Sequence, residues 1–164
     1  MAKSPAETVS VLTYRTGVSD ANIAGNVHGG YIMKLCDDAA VIAATRLAGG
    51  RVVTAAVDAM KFRSPVKVGD LVTLRSCVNA AWRTSMEVGV RVEAENVHTG
   101  EITHTSSAYL TMVALTDEGK PAPVPPVDPQ SEDERRRLRE AEHRRATRLR
   151  EREEIVAARA KAAG

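Results

Sequence analysis

Two adjacent carboxylates, Asp37 and Asp38, stand among small apolar residues just after a polar, glycine-rich turn, Asn26-Val27-His28-Gly29-Gly30. Aspartate is a poor helix-interior residue and is seldom buried without a partner. A carboxylate at the end of an apolar groove can act on a carbonyl as a general base or as a nucleophile. The turn offers the complementary chemistry. Backbone N–H groups at a helix N-terminus lack intrahelical acceptors, and the helix dipole adds positive potential there. Such a place binds an anion, or steadies an oxygen on which negative charge develops. Neither feature decides the matter alone. A tight turn needs glycine anyway, and one aspartate can simply pair with Lys34 or Arg46, the role expected for Asp38.

The elements that must position these groups follow from periodicity. Ile32, Leu35, Ala39, Ile42, Ala43 and Leu47 fall three and four residues apart, one apolar stripe of a helix. Gly49-Gly50 is its expected stop, since glycine adopts the left-handed cap conformation at little cost. Thr8 to Thr16 reads as a first strand, and Arg51 to Phe62, Leu71 to Ala80, Ser85 to Val97 and Glu101 to Ala114 as four more. Their short connections favour antiparallel neighbours. With one helix and a meander, the stripe has only the sheet to bury itself against, so the sheet is expected to wrap the helix.

Composition narrows the class. At 164 residues the chain is long enough for one domain with a real core, but it has one Trp, one Phe and three Tyr. The core must be aliphatic and alanine-rich, and thin enough to gain from a partner subunit. No run approaches the roughly 18 apolar residues of a membrane span, and the N-terminus lacks a basic segment followed by an apolar one. Cys36 and Cys77 are too few for a disulfide framework and have no ligand-type neighbours. The expectation is a cytoplasmic protein with free thiols and no metal.

Charge divides the chain. Residues 131–164 hold 11 of the 23 basic and 8 of the 21 acidic residues, leaving the preceding part nearly neutral. Gly119 to Gln130 holds five of the seven prolines and reads as an extended spacer. Ser131 followed by Glu134 has the pattern of a capping box, and Asp133–Arg137 and Glu140–Arg144 have helical ion-pair spacing. The expected organisation is a folded domain over residues 1–118, a proline-rich linker over 119–130, and a charged tail, helical or disordered, over 131–164. Mixed charge without aromatics argues against nucleic-acid binding by that tail.

Taken together, several motifs resemble one family. These are the turn beginning at Asp20 and continuing through Gly25-Asn26-Val27-His28-Gly29-Gly30, then Lys34-Leu35-Cys36-Asp37 and Val53-Thr54-Ala55-Ala56-Val57-Asp58. Phe62-Arg63-Ser64-Pro65-Val66 and Asp117-Glu118-Gly119-Lys120-Pro121 complete the set. Over residues 8–127 the chain is similar to the hotdog-fold acyl-CoA thioesterases, most of all to the cytosolic acyl-CoA hydrolases with two tandem hotdog domains. The resemblance implies an α+β hotdog fold, an antiparallel sheet wrapped around one long helix. It implies hydrolysis of an acyl-CoA thioester to a free acid and CoA, with no cofactor or metal.

In the tandem enzymes the turn asparagine and the helix aspartate are split between domains, whereas this chain carries both. The resemblance therefore implies a homodimer, assembling further as a trimer of dimers, with each site built from Asn26 of one subunit and Asp37 of the other. Asp37 would activate water or attack directly, Asn26 would position water or the carbonyl, and a glycine N–H at Gly29 or Gly30 would polarise the thioester oxygen. Arg83, Thr84 and Ser85 match where the family contacts CoA, and Arg63 and Lys120 are candidate phosphate partners. His28 stands beside the substrate but lacks the His-Phe-Pro context of the hotdog dehydratases, and is read as a structural turn residue. The competing reading is a non-catalytic acyl-CoA sensor of the same fold; a sensor needs neither Asn26 nor Asp37.

Overall fold

The computed structural model describes residues 1–58 and 60–162. Ala59, inside the expected Arg51–Phe62 strand, and residues 163–164 of the expected tail lie outside the described residues. The chain forms β1 (Ser10–Arg15), α1 (Gly29–Ala48), β2 (Val52–Val57), β3 (Lys61–Phe62), β4 (Leu71–Ala81), β5 (Ser85–Glu95), β6 (Ile102–Ala114) and α2 (Glu132–Ala162). It divides into two units, Met1–Asp128 and Pro129–Gly164.

In the first unit every strand pairing is antiparallel, and the sheet runs β1-β4-β5-β6-β2 with β3 also on β6. Alternation puts Val72, Leu74 and Val78, then Met86, Val88, Val90 and Val92, and Leu110 and Met112 on the buried face. Against them lie Ile32, Leu35, Ala39, Ala43 and Leu47 of α1. The buried surface of α1 is broader than a single stripe: Cys36, Ala40 and Ala44 are buried as well, and Ile42 is only half-buried. The cause is curvature. The sheet curls so that α1 touches β1, β2, β4, β5 and β6, and four fully buried alanines let helix and strands approach closely. This is the hotdog arrangement.

The expected 51–62 strand is two strands. A register shift between Thr54 and Ala56 twists β2, which ends at Val57, and Phe62 resumes pairing opposite Ser106. α1 ends as expected, with Gly49 left-handed at φ 71°. Up to Asp128 the proline-rich segment belongs to the first unit, where it runs extended and is held by backbone hydrogen bonds. Its non-proline residues supply the donors: Ala122 N–H to Ala114 O at 2.8 Å, Val124 N–H to Arg83 O at 3.1 Å, and Asp128 N–H to Lys3 O at 2.9 Å. Ala122, Val124 and Val127 pack on the core.

The second unit contains α2. Glu134 N–H bonds Ser131 Oγ at 3.2 Å, and Glu134 Oε2 accepts from Ser131 N–H at 3.1 Å, the expected capping box. Asp133 pairs with Arg137 as the spacing implies, while Glu140 takes Arg136 at 2.7 Å, one turn earlier in the chain. Among the described residues no helix is long and apolar enough to cross a membrane.

Candidate active site

The turn before α1 is pinned at its neck. His28 N–H bonds Asp20 O at 2.7 Å, and Ala21 faces Val27 in an antiparallel bridge. Beyond the neck the chain reverses between Asn22 and Asn26: Asn22 N–H donates to Asn26 O at 2.7 Å, and Gly25 N–H to Asn22 O at 3.0 Å. Gly25 has φ 80°, a conformation glycine takes without strain. The Asn22 Oδ1 accepts from Ala24 N–H at 2.9 Å and from Asn26 N–H at 3.3 Å, an Asx turn that turns the NH₂ end of the amide away from the loop.

His28 is the helix N-cap. Its Nδ1 accepts from Gly30 N–H at 2.9 Å, so its remaining proton sits on Nε2. That contact takes the Gly30 N–H out of play as a donor to a ligand. Gly29 N–H has no acceptor within the chain among the described residues, and it stands at the positive end of a 20-residue helix. Val27 N–H bonds Val66 O at 2.8 Å, which fastens the turn to the segment after β3. Between these segments is a cavity of about 350 Å³ lined by Asn22, Asn26, Gly29, Ile32, Phe62 and Arg63, among others. That is within the usual range of small-ligand sites.

Asp37 lies about 12 Å farther along α1 and outside that lining. It is half-buried, and its Oδ1 accepts the hydroxyl proton of Thr54 on β2. Asp38 is exposed and pairs with Lys34 at 2.8 Å. Cys36, beside Asp37, is buried, and that burial, aided by the Asp37 charge, pushes its thiol up to about 12. It is packing, not a nucleophile.

Of the residues singled out in the sequence, the structure gathers Asn26, Gly29 and Arg63 around one cavity, with exposed His28 capping the helix at its edge. It does not bring the others to the same place within one protomer. Arg83 and Thr84 lie in the β4–β5 turn and Ser85 opens β5; Thr84 O accepts from Ala114 N–H at 3.0 Å. Lys120 closes a nearby turn, its carbonyl accepting from Thr116 N–H at 2.7 Å. Both lie beside the residues that follow α1, the far end of a helix roughly 30 Å long. Two residues of the site were not singled out, Asn22 and Thr54. An asparagine three residues before a glycine is the sequence signal for the first, and nothing local marks the second.

The family model described as the thioesterase superfamily matches residues 24–101. YkhA of Bacillus subtilis (strain 168), named an uncharacterized acyl-CoA thioester hydrolase, is 40% identical over 128 residues, which is 78% of this chain and 74% of YkhA. The chain belongs to the hotdog acyl-CoA thioester hydrolases. A crystal structure of an apo-hexameric acyl-CoA thioesterase superposes on this hydrolase with a TM-score of 0.89 at 38% identity, covering 92% of this chain and 97% of the other. The acyl-CoA hydrolase of Staphylococcus aureus, solved with butyryl coenzyme A, coenzyme A and coenzyme A disulfide, gives a TM-score of 0.84 at 33% identity over 96% and 99% of the two chains. That enzyme has also been solved with an asparagine, an aspartate and a threonine each replaced by alanine. Its three positions have the same spacing as Asn22, Asp37 and Thr54 in this hydrolase.

Proposed function

We propose that this hydrolase cleaves acyl-CoA by direct attack of water, with Asp37 as general base. The observation that carries the reading is the Thr54 hydroxyl on Asp37 Oδ1. That bond fixes the carboxylate and leaves Oδ2 to take a proton from water. Oxygen attack on the thioester carbon gives a tetrahedral intermediate. Its oxyanion is received by Gly29 N–H at the helix N-terminus. Collapse breaks the C–S bond, and the CoA thiolate leaves with the proton held by Asp37, giving free acid and CoA. Direct attack by Asp37, through an anhydride, would use the same groups.

The water-positioning amide comes from the turn. The sequence pattern points to Asn26, which lines the cavity beside Asn22; the spacing shared with the Staphylococcus enzyme favours Asn22, whose Oδ1 is engaged by the turn while its NH₂ is left for a ligand, with Asn26 buttressing it. Arg63 at the cavity, and Arg83, Thr84, Ser85 and Lys120 at the other end of α1, are assigned to the phosphates and pantetheine of CoA, with His28 at the entrance.

A second copy is required to unite these parts. β2 is a sheet edge, and Val53, Val57 and Phe62 beside it are 38%, 44% and 51% exposed. An apolar edge next to Asp37 and Thr54 calls for a covering strand. A homodimer that pairs there would carry one subunit's Asp37 toward its partner's turn, and a trimer of such dimers matches the hexamer described for the related thioesterase.

Mixing tests this arrangement. Asp37→Asn and Asn22→Ala proteins, each inactive alone, are co-refolded and assayed for thiol release from acyl-CoAs of several chain lengths. Sites shared between subunits recover about a quarter of wild-type activity, because half the dimers hold one intact site of two. No recovery would place both groups in one subunit, and running the mixture with Asn26→Ala in place of Asn22→Ala decides between the asparagines. Tight acyl-CoA binding without thiol release by the wild type would make the chain a binding module instead.

A further inference from the structure

Tyr14 is not among the residues lining the cavity, yet it touches both Asp20 at the base of the turn and Tyr31 in the helix that follows it. It is fixed on β1 by its place opposite Val72 in the sheet. Its hydroxyl donates to the Asp20 carboxylate, 3.2 Å from Oδ2, and its ring packs on Tyr31 of the first turn of α1, centroids 5.4 Å apart and tilted by 55°. Asp20 is only 7% exposed. The same Oδ2 accepts from Gly17 N–H at 2.7 Å, and the Asp20 carbonyl receives His28 N–H at 2.7 Å. One buried aspartate thus closes both the approach to the turn and its neck, and one tyrosine ties that aspartate to the sheet and to the helix.

We propose that Tyr14, acting through Asp20, is a positioning residue for hydrolysis, holding the Asn22 amide and the Gly29 N–H in fixed relation. This rests on the proposed catalytic use of that turn. The physical case is rigidity. The turn itself carries exposed Ile23, Ala24 and Gly25 and gains little from packing. Its geometry therefore depends on polar ties at its base, of which the Val27 N–H bond to Val66 O runs to the segment after β3 and the Asp20 carboxylate contact runs to Tyr14 on β1. The phenol is a donor throughout the working pH range, because the neighbouring Tyr31 hydroxyl and the Asp20 charge raise it above ordinary tyrosine.

Tyr14→Phe keeps the ring and deletes the hydroxyl. Donation to a charged acceptor is among the stronger neutral-pH hydrogen bonds, so kcat is expected to fall about tenfold with KM for acyl-CoA within twofold. Asp20→Asn retains an acceptor and should keep most of the activity, whereas Asp20→Ala should lose as much as Tyr14→Phe. The double variant Tyr14→Phe/Asp20→Ala should be no slower than the worse single. Amide hydrogen exchange at Gly25 and His28 should accelerate in Tyr14→Phe while amides in the middle of β5 do not change. That readout stands even if the wild type hydrolyses no acyl-CoA, so the two readings fail separately. Unchanged kcat together with unchanged exchange in the turn, or additive losses in the double variant, would overturn the role given to Tyr14.

Discussion

The Thr54 hydroxyl on β2 donates to Asp37 Oδ1 in the middle of α1, joining the only half-buried carboxylate of that helix to the edge strand of the sheet. A hydroxyl on one oxygen restricts rotation of the carboxylate and singles out the other for chemistry. Asp37→Asn is nearly isosteric and should lower kcat by about 10²- to 10⁴-fold, the range of a lost general base. The fold and assembly should survive. Thr54→Val, which keeps shape and removes the donor, should cost about tenfold, and Thr54→Ser should recover most of it. Thiol release under saturating acyl-CoA reads both; equal kcat for Thr54→Val and wild type would remove Thr54 from the site.

At the helix start, a Cβ on Gly30 would stand 3.0 Å from His28 Nδ1, so in Gly30→Ala the imidazole must give way slightly, which strains the N–H bond it caps. The loss should be up to about 1 kcal/mol, that of a missing N-cap. His28→Ala should cost a similar amount, and the double variant little more than either. Urea unfolding at neutral pH measures all three. A His28→Ala variant as stable as wild type would mean that water replaces the cap.

Cys36 gives stability a pH dependence of known sign. Its thiol is shifted from an ordinary value near 9.0 up to about 12, by burial first and by the Asp37 charge second. Between those limits the unfolded chain releases the proton and the folded chain keeps it, so stability falls as pH rises through that window. Below pH 9 the group contributes nothing to the slope. Cys36→Ala should flatten the alkaline limb by up to about 1.4 kcal/mol per pH unit. Parallel wild-type and variant slopes in denaturant titrations would contradict this. Thiol reagents near pH 8 should likewise reach Cys36 only on unfolding.

Helix α2 begins at a reciprocal cap, with Glu134 also accepting from Gln130 N–H at 2.7 Å. Ser131→Ala should cost about 1 kcal/mol of local stability. Faster amide exchange in the first turns of α2, with β5 and β6 protected as before, is the expected pattern. Uniform acceleration over both units would mean that the cap supports more than its own helix.

Much of the fold was legible because its signals are local. Apolar spacing from Ile32 to Leu47 marks α1, Gly49 ends it, and alternation marks β4 to β6. What escaped depends on distant partners. Thr54 reads as an ordinary strand residue until β2 is laid beside Asp37. The histidine cap escaped because imidazole is an uncommon N-cap, and its role rests on a rotamer rather than a motif. Asn26 stood out by its place against the glycines, whereas Asn22 gains its orientation from a four-residue reversal that only backbone geometry reveals. Neither the break of Arg51–Phe62 into β2 and β3 nor the register shift inside β2 is encoded by local propensity.

The ladder between Lys3 and the end of the proline-rich segment, Lys3 N–H to Pro126 O at 3.2 Å and Asp128 N–H to Lys3 O at 2.9 Å, sets residues 3 and 128 side by side. A body whose entry and exit adjoin can be cut elsewhere and rejoined there by a short peptide, or strung to a duplicate of itself without unravelling either copy. Circular permutants and head-to-tail fusions of this hydrolase are therefore practical engineering targets, with new ends best opened in the exposed His98–Gly100 turn.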